Sequence, residues 1–437
     1  MKPSIRHFVS ISLPYTIVLI AFFTIVGLYR PGFPILSLFD ITAVRWFFSF
    51  FILFVFIYSS FYFFDDINKK NLLVIKIYLI WMLICIVRGL FAAENYWDWK
   101  GLTSNSLAIL LPVMAYASTN KAIVQSLLSS YIKYGLPLFI VLSVLMITDA
   151  YGRYLMPISF LLLFLPALSK RQRLLLLVFT AVVLFANIHA RSNIIKFGIP
   201  FIVLLIYYWQ DNLSVKTLER IRLFLIILPL ILFSLGASGI FNIFRMSEYL
   251  GEFTIEGTDF DGEVRELGVT DDNRTFLYFE IINSAIYNDY WIFGRTPARG
   301  NDSEFFGDEQ YELTGRDERL GNEFGIANVF TWTGIVGVIL YLLIFYRASY
   351  LAINRSNNIY AKMMGVYVAF RWFYSWVEDI NNFSLNYFML LLMIGICFSH
   401  SFRIMSNYEV TIWARGIFDK RYLNFDKHLK EEENGGE

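Results

Sequence analysis

The chain has 437 residues, 57% of them hydrophobic and 19% aromatic, with only 17% charged and a formal net charge of +1. Soluble domains run roughly 45–50% apolar and about 25% charged, and their surfaces need that charge. The composition argues against a soluble enzyme, a disordered chain or a secreted disulfide scaffold, and points to a polytopic helical membrane protein.

In chain order, apolar runs predict twelve spans, at about 8–28, 46–64, 71–91, 103–119, 134–149, 154–169, 173–190, 194–209, 222–241, 326–346, 361–378 and 385–402. Lys2 and Arg6 precede the first run as in a signal peptide. That run continues to Leu28 without a small-residue cleavage site, so it reads as a retained span. The sixth and eighth spans are short or interrupted, by Pro157 and Pro166 and by Lys196, Gly198 and Pro200. The runs show no period-two alternation, which predicts helices and not barrel strands.

Lys and Arg set the expected orientation. With the N-terminus inside, the cytoplasmic segments carry Lys2, Arg6, Lys69, Lys70, Lys170, Arg171, Lys216, Arg347 and Arg355 among others. The short outside segments carry fewer, which is the positive-inside pattern and places both termini in the cytoplasm. The chain then divides into spans one to nine (1–241), a large outside loop (242–325), spans ten to twelve (326–402) and a tail (403–437).

The outside loop holds 19 Asp and Glu, seven Arg and no Lys, although the whole chain has 14 Lys. Residues 251–272 read as Gly-rich, acidic loop. Asp272 or Asn273 can cap a helix from Arg274 to Tyr287, with Phe276, Phe279, Ile282 and Ile286 as its apolar stripe. Gly294, Pro297 and Gly300 break the chain after it.

Four groups of residues suggest chemistry. An Arg-only loop suits a phosphate ligand, because the guanidinium fork binds two oxygens where Lys is a point charge. Arg274, Arg295 and Arg299 are the candidates, with ion pairing to nearby carboxylates as the plain alternative. Arg191 stands with His189, Ser192 and Asn193 in a polar knot between two apolar runs, where it either snorkels or meets a phosphate at the interface. Glu323 stands near the start of the tenth span and is the candidate general base, if burial raises its pKa; otherwise it is a solvated surface glutamate. Arg371 lies inside an apolar span near Glu378 and Asp379, so it lines substrate or serves structure. Lys76 and Arg88 raise the same question more weakly.

Cys85 and Cys397 both fall in apolar segments, against a disulfide or thiolate metal site, and the four His show no metal-ligand spacing. The chain has no Walker A, HExxH or EF-hand pattern and no nucleic-acid module. No metal, cofactor or nucleic acid is implied.

These residues carry a resemblance. Twelve spans, a large outside loop in the C-terminal half, the pair Arg191–Ser192, and the run NRTFLYFEIINSAI to WIFGRTPARG before TGIVGVILYLLIFY resemble the bacterial O-antigen polymerase (Wzy) and O-antigen ligase superfamily. The resemblance implies an all-α polytopic protein of the inner (cytoplasmic) membrane, with its large periplasmic loop between the ninth and tenth helices. It implies glycosyl transfer at the periplasmic face from an undecaprenyl-diphosphate-linked oligosaccharide. Such a polymerase joins the growing glycan to the next lipid-linked repeat unit, for lipopolysaccharide or capsule. By the same resemblance Arg191 and Arg274 hold diphosphate, Arg295 or Arg299 assist, and a chain-length regulator is a partner. Ligase-type members carry a His shortly before a G-x-x-G at the span after the loop. Gly334 and Gly337 match the glycines, but Glu323 and Phe324 stand where the His and its neighbour are expected. This favours a polymerase over a ligase acting on a lipid A core. A polysaccharide or lipid-linked-sugar transporter is the reading from another class.

Overall fold

The computed structural model describes residues 3–30, 34–64, 66–187, 190–238, 240, 242, 254–258, 264–268 and 275–422. The described residues are mostly helical. A helix satisfies its backbone N–H and C=O groups within one segment, which is what long apolar runs require. The first half contains α1 (Ile5–Ile25), α2 (Thr42–Tyr62), α3 (Leu73–Ala92), α4 (Tyr96–Ala117) and α5 (Lys121–Leu142). Two short helices follow, α6 (Asp149–Tyr154) and α7 (Met156–Leu162), then α8 (Lys170–Ala186), α9 (Arg191–Tyr208) and α10 (Val215–Ala237). Reciprocal side-chain caps start α4, by Asn95 and Asp98, and α8, by Ser169 and Gln172.

The segment after α10 forms two ribbons and two helices. Strand β1 (Thr254–Thr258) pairs antiparallel with β2 (Val264–Gly268). Helix α11 (Thr275–Tyr287) leads to β3 (Asn301–Asp302), which pairs antiparallel with β4 (Glu318–Arg319) across α12 (Gly307–Thr314). The chain then runs through α13 (Gly325–Asn354), α14 (Ile359–Tyr374), α15 (Leu385–Phe398), one turn at His400–Arg403, and α16 (Asn407–Gly416).

The core lies on α13, α14 and α15. All 14 residues of α15 are buried, as a helix apolar on every side must be. The outer helices turn apolar side chains away from the protein: Phe47, Phe50 and Phe54 on α2, Ile77, Ile80 and Leu83 on α3, Leu174, Leu177 and Val178 on α8. Among the described residues, α1, α2, α3, α9 and α13 are the five helices long and apolar enough to cross a membrane. They are six if α4 and α5, bent by 118°, count as one span. Long apolar helices with apolar outer faces fit an all-α membrane protein.

Three expectations are corrected. The run at 134–149 is not one continuous helix, and the run at 154–169 is interrupted as Pro157 and Pro166 suggest. A π-turn at Tyr131–Gly135, the short helix Leu136–Leu142, α6, α7 and a 3-10 turn at Leu165–Ala167 divide them. Pro137, Pro157 and Pro166 each remove a backbone donor there. Residues 251–272 are not all loop, because β1 and β2 fall within them: Ile255 and Val264, β-formers, alternate there with polar residues. The face of α11 that packs inward is Leu277, Ile281, Ser284 and Ala285, whereas Phe279 and Ile286 are exposed. Helical spacing found the helix, but the neighbouring surfaces chose the face.

Candidate functional site

The loop arginines are occupied by carboxylates. Arg299 Nε donates to both Glu318 oxygens, at 3.1 and 2.8 Å, and its Nη2 is paired with the same carboxylate. Arg295 Nη1 donates to Asp302 Oδ1 at 2.6 Å and to the Gly300 carbonyl at 3.0 Å, while its Nη2 lies 3.1 Å from Glu318. Arg316 lies 3.2 Å from Asp98 and 3.8 Å from Glu318. Burial alone would raise Asp302, but bonds from Arg295, Asn288 and Ser284 outweigh it and hold the carboxyl below its usual range. The Glu318 carboxylate likewise raises Arg299 above the ordinary guanidinium value. These pairs tie the β3–β4 ribbon to the start of α4. Ion pairing, not an open phosphate cradle, is the geometry of Arg295 and Arg299.

Glu323 is 46% exposed and pairs with Arg319 at 3.1 Å. The burial on which its role as base was premised is not found. Arg191 is the exposed first residue of α9. Arg274 and His189 lie outside the described residues.

Arg371 is different. It sits on the last turn of α14 and is 1% exposed. Its Nη2 donates to Asn386 Oδ1 at 2.8 Å, at the start of α15. Its Nε and Nη1 are buried and have no hydrogen-bond partner among the described residues. Lys196 on α9 is 6% exposed, is paired with Glu378, and lies close enough to Arg371 to repel it. Tyr374 also bonds Glu378. Lys196 therefore has a carboxylate partner, whereas Arg371 makes no ion pair to a carboxylate within 4 Å among the described residues. Asn193, three residues before Lys196, is 1% exposed, and both of its amide atoms lack partners among the described residues. Buried idle donors cost roughly 1–3 kcal/mol each, more when charged, and oxygens of an anion are one kind of group that satisfies them.

The turn after α14 also carries Asp379, and burial pushes its carboxyl up to about 6. Asn328 and Asn382 donate to it at 3.4 and 3.1 Å. An asparagine chain leads outward from there: Asn328 bonds the backbone of Asn322, and Asn322 Nδ2 donates to Asn301 Oδ1 at 2.9 Å. Residues 371, 374, 375 and 378 share one side of this helical turn, and 373, 376 and 377 share the other. Phe373, Trp376 and Val377 line an apolar groove of about 100 Å³ with Phe233, Tyr278 and Phe279. A buried basic cluster and an apolar groove thus back onto one turn. A second, open cleft of about 940 Å³ is lined by Phe276, Tyr287 and Phe305 and by the carboxylates of Glu280, Asp308 and Asp317.

Comparisons with protein families, with curated proteins and with solved structures find no match. The geometry of the chain itself therefore carries the functional argument.

Of the glycine pair noted in the sequence, Gly334 has a backbone cause. Helix α13 breaks at Gly334, whose φ of +67° favours glycine. A Cβ there would strike the Ile292 carbonyl, and one on Gly294 (φ +74°) would strike the Thr333 amide. The loop docks into this break: Ile335 N donates to Trp291 O at 2.9 Å and Arg295 N to Thr331 O at 2.7 Å. Arg88 holds the same turn, donating to the Phe293 and Gly294 carbonyls at 2.7 and 3.0 Å. Its role here is to fasten the loop.

Sequence reasoning grouped Arg371, Glu378 and Asp379 but noted Lys196 only as an interruption of a span. An ionisable residue inside an apolar run was the available signal.

Proposed function

We propose that the protein is a polymerase of a bacterial surface polysaccharide, a multi-pass protein of the inner membrane with both termini cytoplasmic. It transfers a growing glycan from undecaprenyl diphosphate to the next lipid-linked repeat unit. The observation that carries this reading is the turn 371–378, with two buried cations on one side and an apolar groove on the other. That pairing suits a phosphorylated lipid. The resemblance to the O-antigen polymerase and ligase superfamily supports it, as do the twelve apolar runs and the positive-inside bias, which make residues 242–325 the periplasmic loop.

In the proposed reaction the acceptor hydroxyl attacks the anomeric carbon. The new carbon–oxygen bond forms as the bond to diphosphate breaks, and the leaving electron pair stays on the diphosphate. Arg371 and Lys196 stabilise that charge. Asp379, whose pKa near 6 suits proton transfer, takes the hydroxyl proton in place of Glu323. The aromatic and carboxylate groups of the open cleft offer stacking faces and acceptors to a glycan. Arg191 and Arg274 remain proposed diphosphate ligands, and a chain-length regulator a proposed partner.

One observation favours a transporter of lipid-linked sugars instead. Lys196, Arg371 and Glu378 lie among the helices, while the described loop arginines Arg295, Arg299, Arg316 and Arg319 are neutralised.

The test is the glycan profile of a deletion strain carrying wild type or Arg371→Gln, with membrane protein levels matched. Single repeat units without long chains support the polymerase. Repeat units trapped on the cytoplasmic leaflet support the transporter, and long chains stranded on the lipid carrier support a ligase. Normal long chains in Arg371→Gln remove Arg371 from the site.

A further inference from the structure

We infer that the protein has a second anion site, at the other end of its helix bundle, that binds a phosphate group such as an anionic phospholipid headgroup presents. The site is independent of the polymerase reading. Helices α14 and α15 each connect the two places. Arg371 and Asn386 lie at one end of them; the turn 355–358 and the turn His400–Arg403 lie at the other. With a rise of 1.5 Å per residue, 16-residue α14 separates the two by roughly 20 Å.

Arg403 is at the centre and is 4% exposed. Its Nη1 donates to the Arg355 carbonyl at 2.9 Å, and its Nε is buried without a partner among the described residues. The charged side chains that bear on it are Arg347 and Arg355, both of its own sign. No ion pair to a carboxylate within 4 Å is made by any of the three among the described residues. Two further buried polar atoms are idle at the same junction. Ser356 Oγ follows Arg355 directly and has no partner. Asn68 is fully buried; its Oδ1 accepts from His400 N at 2.9 Å, and its Nδ2 has no partner. Arg347 joins this junction through Asn71, whose Oδ1 accepts from Nη2 at 2.8 Å.

A simpler account exists for part of this. A cation at a helix C-terminus is favourable, and Arg355 is the C-cap of α13. That accounts for one guanidinium nitrogen of Arg403. It leaves three like charges together and three buried atoms without partners. A tetrahedral phosphate answers both, because its oxygens accept from guanidinium, amide and hydroxyl donors and its charge offsets the repulsion. The place is suitable for a lipid. The apolar outer faces of α2, α3 and α8 give the bundle an apolar belt, and basic pockets between helices at the edge of such a belt hold headgroups.

The experiment uses the full-length protein purified in detergent. Native mass spectrometry measures retention of phosphatidylglycerol against phosphatidylcholine. In parallel, melting temperature is followed with inorganic phosphate against chloride at matched ionic strength. The double variant Arg347→Gln/Arg355→Gln changes two exposed side chains and gives up the Arg347–Asn71 hydrogen bond; Arg403→Gln tests the buried one. Lys170→Gln/Arg171→Gln, at the exposed start of α8, is the control for net charge. Wild type should prefer phosphatidylglycerol by roughly tenfold, a preference lost in the double variant and kept in the control. A phosphate-dependent melting shift with the same variant pattern, and no lipid preference, makes free phosphate the source. Absence of both effects, or equal loss in the control, overturns the site.

Discussion

Arg371 and Lys196 show what a buried charge asks of its surroundings. Lys196 has Glu378, so removing one partner leaves the other charge stranded in a closed space. Glu378→Gln should lower stability by roughly 3–5 kcal/mol, whereas combining it with Lys196→Met should cost less than the sum of the two single changes. Thermal unfolding of the purified variants as a double-mutant cycle measures this; strict additivity would mean the two side chains do not interact. Asp379 carries a pH dependence of definite sign. Its folded pKa of about 6 lies above the unfolded value of about 3.9. Between those values the folded protein binds a proton that the unfolded chain releases, so lowering the pH from 7 toward 4 adds stability. The gain is of order 1–3 kcal/mol. Melting temperature should rise over that window in wild type and rise less in Asp379→Asn. Equal rises in both would assign the effect to another group. Glu323→Gln should leave any transfer activity near wild type, because that carboxylate is exposed and paired with Arg319.

At the scale of elements, the break in α13 organises the segment that follows α11. Carbonyls of 291 and 292 reach the helix amides freed at Gly334, and Arg88 fastens the adjoining turn from α3. Gly334→Ala therefore meets two penalties, a left-handed backbone angle and a collision with the Ile292 carbonyl. It should destabilise the protein by several kcal/mol and loosen the loop together with the helix. Hydrogen exchange of residues 290–300 and 330–340 should rise in this variant, and unchanged protection would contradict the docking described. The helix existence of α1 to α4, α8 to α10 and α13 to α15 was legible from apolar runs and caps. The break at Gly334 was not, because glycine is tolerated inside an apolar helix whenever neighbouring groups satisfy the freed backbone, whereas the interruption at Pro157 was read from the sequence.

For the whole molecule, the acidic and basic charges between α11 and α13 bind one another. Glu318 meets Arg295, Arg299 and Arg316, and Arg316 reaches Asp98 on α4. Glu318→Gln should therefore free the ribbon without disturbing the helices. Limited proteolysis should cut within 295–320 faster than in wild type while the helical signal stays the same; unchanged cleavage would mean that these ion pairs do not hold the ribbon. The sequence by itself determined that this is a mostly helical chain of long apolar segments with one acidic, Arg-only insertion, because composition and run length depend on local residues alone. It also flagged Arg371, since a charge inside an apolar run is visible in one dimension. Only the tertiary structure decided which charges are free. Arg295 and Arg299 look alike in sequence to Arg371, but folding brings them to Glu318 across 23 and 19 residues and leaves Arg371 against a neutral asparagine. Whether a guanidinium is saturated or idle depends on what other segments carry to it, and that pairing exists only after the chain has folded.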